Sequence, residues 1–167
     1  MATLDEPVRL EDYDRAWPDR FASEEARLRK VLGRLALGLE HIGSTAVPGL
    51  VAKPIIDIMV GVAGQNDAEG TSIALQRVGY EHVACFPGRQ YLRRREVESF
   101  NAHVVVFSDE LWRDNLAFRD YLRAHPDAAR SYGQAKREAA AAAPMLVAYS
   151  ELEEPQVEEL LRRARAR

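Results

Sequence analysis

The residues best suited to chemistry lie in one stretch of the chain, from His41 to Val62. Gly43-Ser44-Thr45 is a compact turn sequence. Glycine lets a backbone approach a ligand closely, and the amides and hydroxyls that follow can donate to phosphate oxygens. Most Gly-Ser pairs are ordinary turns, but Asp57 raises the odds of something more. It is separated from Ser44 by 12 residues and stands inside the apolar run Ile55-Ile56-Asp57-Ile58-Met59-Val60. Side chains alternate along a strand, so Ile56, Ile58, Val60 and Val62 form a core face, and Ile55, Asp57 and Met59 form the other. A carboxylate there must be ion-paired, hydrogen-bonded or bound to a metal. Pairing with Lys53 or with turn amides is the plain structural alternative.

A Gly-Ser turn followed at this spacing by an acid in an apolar strand resembles the signature of the nucleotidyltransferase superfamily. The resemblance implies that the turn holds nucleotide phosphates and that two acids at alternate strand positions chelate Mg²⁺. Here the second position is Met59. A thioether is a poor ligand for a hard cation that prefers oxygen. A second carboxylate would have to come from elsewhere, and Glu40, Glu96 and Glu98 lie in or near the predicted strands.

Longer stretches carry a closer resemblance. EHIGSTAVPGLVAKPIIDIMV (Glu40–Val60), PGRQYLRR (Pro87–Arg94), HVV (His103–Val105) and FRDYLRAHPDAARSYGQAK (Phe118–Lys136) resemble the GrpB-like family of bacterial proteins. The likeness spans nearly the whole chain. It implies the nucleotidyltransferase fold, and some members occur fused to dephospho-coenzyme A kinase. By position, the residues it shares are His41, Gly43, Ser44, Thr45, Lys53, Asp57, Arg93, His103, Arg119, Tyr132 and Lys136. The family often has a His where this chain has Asn101, and a Lys near the start of the last helix, where this chain has Glu153.

Several of these residues can be weighed on their own. Arg119 falls inside the apolar stripe of Leu111, Trp112, Phe118 and Leu122, so it should meet an acid or a bound anion. Tyr132 and Lys136 share a helix face, four residues apart. Lys136 is either a phosphate ligand or a solvated surface lysine. In Arg93-Arg94-Arg95, alternation sends Arg93 and Arg95 to one face and Arg94 to the other. A charged edge strand that blocks aggregation is the competing reading. His41 and His103 sit in different strands. Each is first a hydrogen-bonded core histidine, second an acid or base, third a metal ligand. His82 and His125 read as surface residues.

The predicted elements place these groups. A helix is expected over about Trp17–Leu35, broken by Gly38, and a short strand over Leu37–Ile42. Ile55–Val62 is the clearest strand. A helix over Asn66–Val78 is capped by Asn66 or Asp67. Tyr80–Phe86 and Tyr91–Arg95 form a hairpin around Pro87-Gly88, and Asn101–Phe107 is another strand. Ser108 caps a helix reaching His125, and Pro126 starts one that ends near Ala143 before Pro144. Pro155 starts the last, which reaches Ala166. Strands mixed with helices early and helices alone late predict a nucleotidyltransferase-like α/β domain. It has a mixed sheet, a C-terminal helical cluster and a single unit over 1–167.

Composition bounds the rest. The 167 residues are 47% hydrophobic, enough for a sizeable core, and carry a formal net charge of -3. That balance argues against a dedicated nucleic-acid-binding protein. The single cysteine, Cys85, rules out an intrachain disulfide and reads as a small buried residue. Neither an apolar signal region nor a membrane-length apolar run is present, so a cytoplasmic location is expected.

The expected partner is a nucleotide or other phosphorylated small molecule, with Gly43, Ser44, Thr45, Lys53, Arg93, Arg119, Tyr132 and Lys136 binding it. Asp57 would carry Mg²⁺. With Asp57, His103 and His41 as catalytic groups, nucleotidyl or phosphoryl transfer to a small acceptor follows. The alternative is a binding or accessory module without catalysis, motivated by Met59. A pure interaction domain is the third reading.

Overall fold

The structure is a computed structural model that describes residues 3–166. Five strands form one mixed sheet in the order β1-β2-β5-β4-β3. They are β1 (Gly38–Ile42), β2 (Ile55–Val62), β3 (Glu81–Phe86), β4 (Arg89–Arg95) and β5 (Ser99–Val106). Only β2 and β5 run parallel; the other three pairings are antiparallel. Helices α1 (Trp17–Leu32) and α2 (Gln65–Gln76) cover one face. Helices α3 (Glu110–Ala124), α4 (Pro126–Ala142) and α5 (Leu146–Arg165) form a cluster on the other side.

The alternation read in β2 decides the two faces. Ile56, Ile58, Val60 and Val62 are fully buried in the main core, with Trp17, Leu28, Leu75, Leu92, Phe100 and Val104. Met59 belongs to a separate cluster on the other face, with Ile42, Val105 and Trp112. Gly38 pairs with Gly61 across β1 and β2. A Cβ on either would lie 2.6–2.7 Å from the Trp112 indole. These two glycines therefore form a flat seat on which α3 docks.

Several local expectations are corrected. The first helix stops at Leu32 and a single 3-10 turn, Gly33–Leu35, follows, so Gly38 begins a strand rather than breaking a helix. Helix α2 starts one residue early behind Gly64, with no side-chain cap. Asp109 rather than Ser108 caps α3, accepting from the Glu110 amide, while Ser108 takes φ 62°. Helix α5 begins at Leu146, nine residues before the expected start, and Pro155 lies inside it. The N-terminal segment holds that early start. Leu146 N–H donates to the Glu6 carbonyl and Val8 N–H to the Pro144 carbonyl. Strand β4 is interior, since β3 forms the edge, so the edge-strand reading of the arginine run fails. Cys85 is exposed on that edge strand rather than buried. No helix among the described residues is long and apolar enough to cross a membrane.

Candidate functional site

Strand register builds the site row by row. Ile42, Asp57, Asn101 and Arg93 lie side by side across β1, β2, β5 and β4. The next row is Glu40, Met59, His103 and Tyr91. Directly opposed residues point to the same face of a sheet, so Asp57, Asn101, His103 and Tyr91 share one surface. His41 pairs with Ile58 and therefore points to the opposite face. It is buried there, stacked on Phe21 with ring centroids 4.8 Å apart. Its Nε2 lies 2.9 Å from Thr45 Oγ1. Burial, with Arg123 and Arg119 nearby, pushes its pKa down to about 4 against the pull of Asp57. The acid-base assignment to His41 is corrected: it is a neutral core histidine that pins the Gly-Ser turn from behind.

Asp57 is the centre of the open face. Its Oδ1 accepts from Asn101 Nδ2 at 2.8 Å and lies 3.0 Å from His103 Nε2. The orientation of Asn101 is fixed, because its Oδ1 accepts from Tyr91 Oη and Arg95 Nη2, each at 2.9 Å. His103 stacks on Tyr91, with centroids 5.4 Å apart. Burial pushes the Asp57 pKa up, but His103, Asn101 and Lys53 outweigh it and hold the carboxyl at about 2. Asp57 is therefore ionised throughout the physiological range.

The Gly-Ser turn touches this carboxylate. Gly43 has φ 73° and ψ -172°, and a Cβ there would sit 2.7 Å from Asp57 Oδ2. Only glycine meets both demands. Ser44 and Thr45 then form a helical turn, and with Lys53, Asp57 and Lys136 they line a small recess. A larger cavity of about 680 Å³ opens over Asp57, Asn101 and His103. Lys53, Phe86 and Arg89 line its walls, and α5 roofs it with Leu146, Val147, Ser150, Glu151, Glu153 and Glu154.

Lys136 is buried, not a solvated lysine, and its Nζ donates to Glu153 at 3.2 Å. Tyr132 donates to the same oxygen at 3.3 Å and also lies against Ser44. Burial pushes the Lys136 pKa down, opposed by Glu153. Burial and Glu153 both push the Tyr132 hydroxyl well up. Thus Tyr132, Lys136, Ser44, Thr45 and Lys53 do converge beside Asp57.

Arg119 and Arg93 are drawn elsewhere. Arg119 donates to Glu40 at 2.8 Å and to the His41 carbonyl at 3.1 Å, so the acid that explains its inward position is Glu40. Arg93 lies on the Asp57 face but pairs with Glu6 at 3.3 Å, as Arg95 does at 2.8 Å. Arg94, on the opposite face, joins Glu24, Arg27 and Tyr80 in a buried network. Arg89 was missed. Its signal was the strand alternation that aligns it with Tyr91 and Arg93. His82 is exposed, and His125 is partly buried against Tyr121, with centroids 4.1 Å apart.

The donors around Asp57 do not fit a carboxylate cage for Mg²⁺. Met59 is fully buried under Trp112. The three candidate replacements are engaged: Glu40 by Arg119, Glu96 by Arg94 and Glu98 by Arg20. No group of three acidic, histidine or cysteine side chains gathers as a metal site among the described residues. Magnesium prefers several oxygen ligands, and on the sheet Asp57 already holds two hydrogen-bond partners while Glu40 is held by Arg119. The other carboxylates of the cavity, Glu151, Glu153 and Glu154, lie on α5, and Glu153 is held by Lys136.

Comparison with known proteins agrees with the fold. The family model described as GrpB protein matches residues 7–163. A UPF0157 protein of Halalkalibacterium halodurans is 36% identical, over 95% of this chain and 83% of its own length. The crystal structure of conserved protein GrpB from Enterococcus faecalis superposes with a TM-score of 0.79 at 33% identity, covering 93% of this chain and 98% of that one. The Cid1 poly(U) polymerase, with Mg and 3'-dATP bound, shares the fold alone. Its TM-score is 0.55 at 14% identity, over 78% of this chain and 44% of that one. A dephospho-CoA kinase of Mycolicibacterium paratuberculosis is 30% identical over 95% of this chain, which matches 46% of the kinase. The chain belongs to the GrpB family and has a nucleotidyltransferase-like fold.

Proposed function

We propose that this GrpB-family chain binds a nucleotide or another phosphorylated small molecule in the cavity over Asp57. One observation carries the reading: Ser44, Thr45, Lys53 and Lys136 converge on a recess that also contains Asp57. Hydroxyls and ammonium groups brought together beside a Gly-Ser turn suit phosphate oxygens. Binding without chemistry is the form best supported, because the strand position that would carry a second acid is the buried Met59. Arg93 and Arg119 contribute by holding Glu6 and Glu40, not by touching the ligand.

The test is thermal denaturation with a panel of nucleoside triphosphates and sugar phosphates, each with Mg²⁺ and with a chelator. A ligand at 100 times its Kd stabilises by about 2.7 kcal/mol. A rise in Tm that survives chelation is expected for at least one compound. No shift with any of them, in either condition, would reject the reading.

Transfer to an acceptor is the second reading, and the Asp57–His103 contact at 3.0 Å favours it. The carboxylate holds Nε2 and orients the ring, so the proton would go to Nδ1, which is buried without a partner among the described residues and has to be reached by the acceptor. It predicts turnover of a bound nucleotide, abolished by Asp57→Asn. Binding of that nucleotide with no product formed in the presence of acceptors would remove it.

A further inference from the structure

Four arginines lie on β4, and three of them have acids. Arg93 and Arg95 share Glu6, and Arg94 holds Glu24 and Glu96. Arg89 is different. It has no carboxylate within ion-pair distance among the described residues. Among the described residues its guanidinium stacks over the Phe86 ring, 4.7 Å from the centroid. Both side chains line the cavity over Asp57.

That placement follows from the strand register. Arg89 sits opposite Val105 on β5 and Phe86 on β3. It therefore points to the face that carries Asp57 and His103. The Pro87-Gly88 turn, with Gly88 at φ 73°, joins the two strands directly and brings Phe86 beside Arg89. An aromatic ring under a guanidinium holds its plane and leaves the N–H edges free. Burial pushes the Arg89 pKa down, while Asp57 draws it up. A partly buried cation without an acid loses solvation and gains no ion pair, which is a cost to stability unless a ligand supplies the anion.

We propose that Arg89 is the specificity-determining cation of the cavity, gripping a phosphate group of the ligand with two N–H donors from a plane fixed by Phe86. Guanidinium and phosphate match in this two-pronged geometry, which an ammonium cannot reproduce. Arg89 and Lys53, which also has no ion-paired acid among the described residues, then approach one phosphorylated ligand from the cavity walls. The proposal rests on the binding reading given above and adds the residue that selects for phosphate.

The experiment is isothermal titration of the full chain, Arg89→Gln and Arg89→Lys with ATP, inorganic tripolyphosphate and inorganic phosphate, alongside each protein's Tm. Arg89→Gln is expected to weaken binding by about 10- to 100-fold, the usual effect of losing a charge-assisted pair of hydrogen bonds. Arg89→Lys should recover part of that loss. The Tm of the unliganded Gln variant should be unchanged or raised, because no ion pair is broken. Similar weakening for ATP and tripolyphosphate assigns Arg89 to phosphate itself. Weakening confined to ATP would assign it to the nucleoside and overturn the phosphate assignment. If wild type binds and Arg89→Gln binds equally, the inference fails and the binding reading stands. A lowered Tm with binding intact would make Arg89 a distant counter-ion of Asp57 and also overturn it. If wild type binds none of the three, the assignment of Arg89 to phosphate is overturned, and the wider panel of nucleoside triphosphates and sugar phosphates decides the binding reading.

Discussion

At the scale of single residues, one close approach of backbone to side chain fixes the Gly-Ser turn against Asp57. Gly43 holds a left-handed φ against the Asp57 carboxylate, with room for no Cβ. Gly43→Ala is expected to cost about 1–3 kcal/mol through strain and to push Asp57 off Asn101 and His103. Urea denaturation measures the first effect, and loss of the ligand-induced Tm shift measures the second. His41 supplies a pH signature. Its ring is neutral when folded, with a pKa near 4 against an ordinary 6.5. Between those values the unfolded chain takes up a proton that the folded chain refuses. The stability held by His41 is therefore complete above pH 6.5 and falls as pH drops toward 4, by roughly 3 kcal/mol in all. His41→Gln keeps a hydrogen-bonding group for Thr45 and removes the titration, so its stability should change less over pH 6.5 to 4. Equal slopes for the two proteins would place the acid sensitivity elsewhere. Asp57 acts lower down, since its stabilisation is full above its ordinary 3.8 and is lost as pH falls to about 2.

At the scale of elements, what the sequence made legible was whatever periodicity alone determines. The alternation of Ile56, Asp57, Ile58, Met59 and Val60 was enough to separate a core face from a site face, and the structure keeps both. The stripe that put Arg119 inward was also correct, although only the fold could bring Glu40 to it. Helix α5 shows why the rest was hidden. Leu146–Glu154 begins without a side-chain cap, and its early start depends on hydrogen bonds from a segment some 140 residues away in sequence. Local signals instead favoured Pro155 as a first-turn residue, where a missing N–H is harmless. Glu153 was thereby left outside the helix that aims it at Lys136. Inside α5, Pro155 removes one helical hydrogen bond and crowds the preceding turn. Pro155→Ala should therefore raise stability by about 1–3 kcal/mol, read as an increase in Tm. A decrease would mean that the helix begins at the proline after all.

At the scale of the whole molecule, the two faces of the sheet divide the work. The face under α1 and α2 carries the main apolar core, and beside it the buried Glu24 accepts from Arg27, Arg94 and Tyr80. The face over Asp57 is roofed by α5, and the roof is tied to the sheet through the N-terminal segment. Glu6 does this twice: its carboxylate holds Arg93 and Arg95 on β4, and its carbonyl accepts the first amide of α5. The Asp5 side chain also accepts from the Val147 amide. One short segment thus couples the sheet's cations to the cavity's cover. Glu6→Ala would leave two largely buried guanidinium groups without their shared acid, which is expected to cost about 2–4 kcal/mol. The consequence should be local before it is global. Hydrogen exchange at Leu146, Val147 and the first turn of α5 is expected to accelerate, while amides of β2 and β5 stay protected up to the reduced global stability. Uniform acceleration across β2 and α5 would show instead that the roof opens only when the whole sheet does.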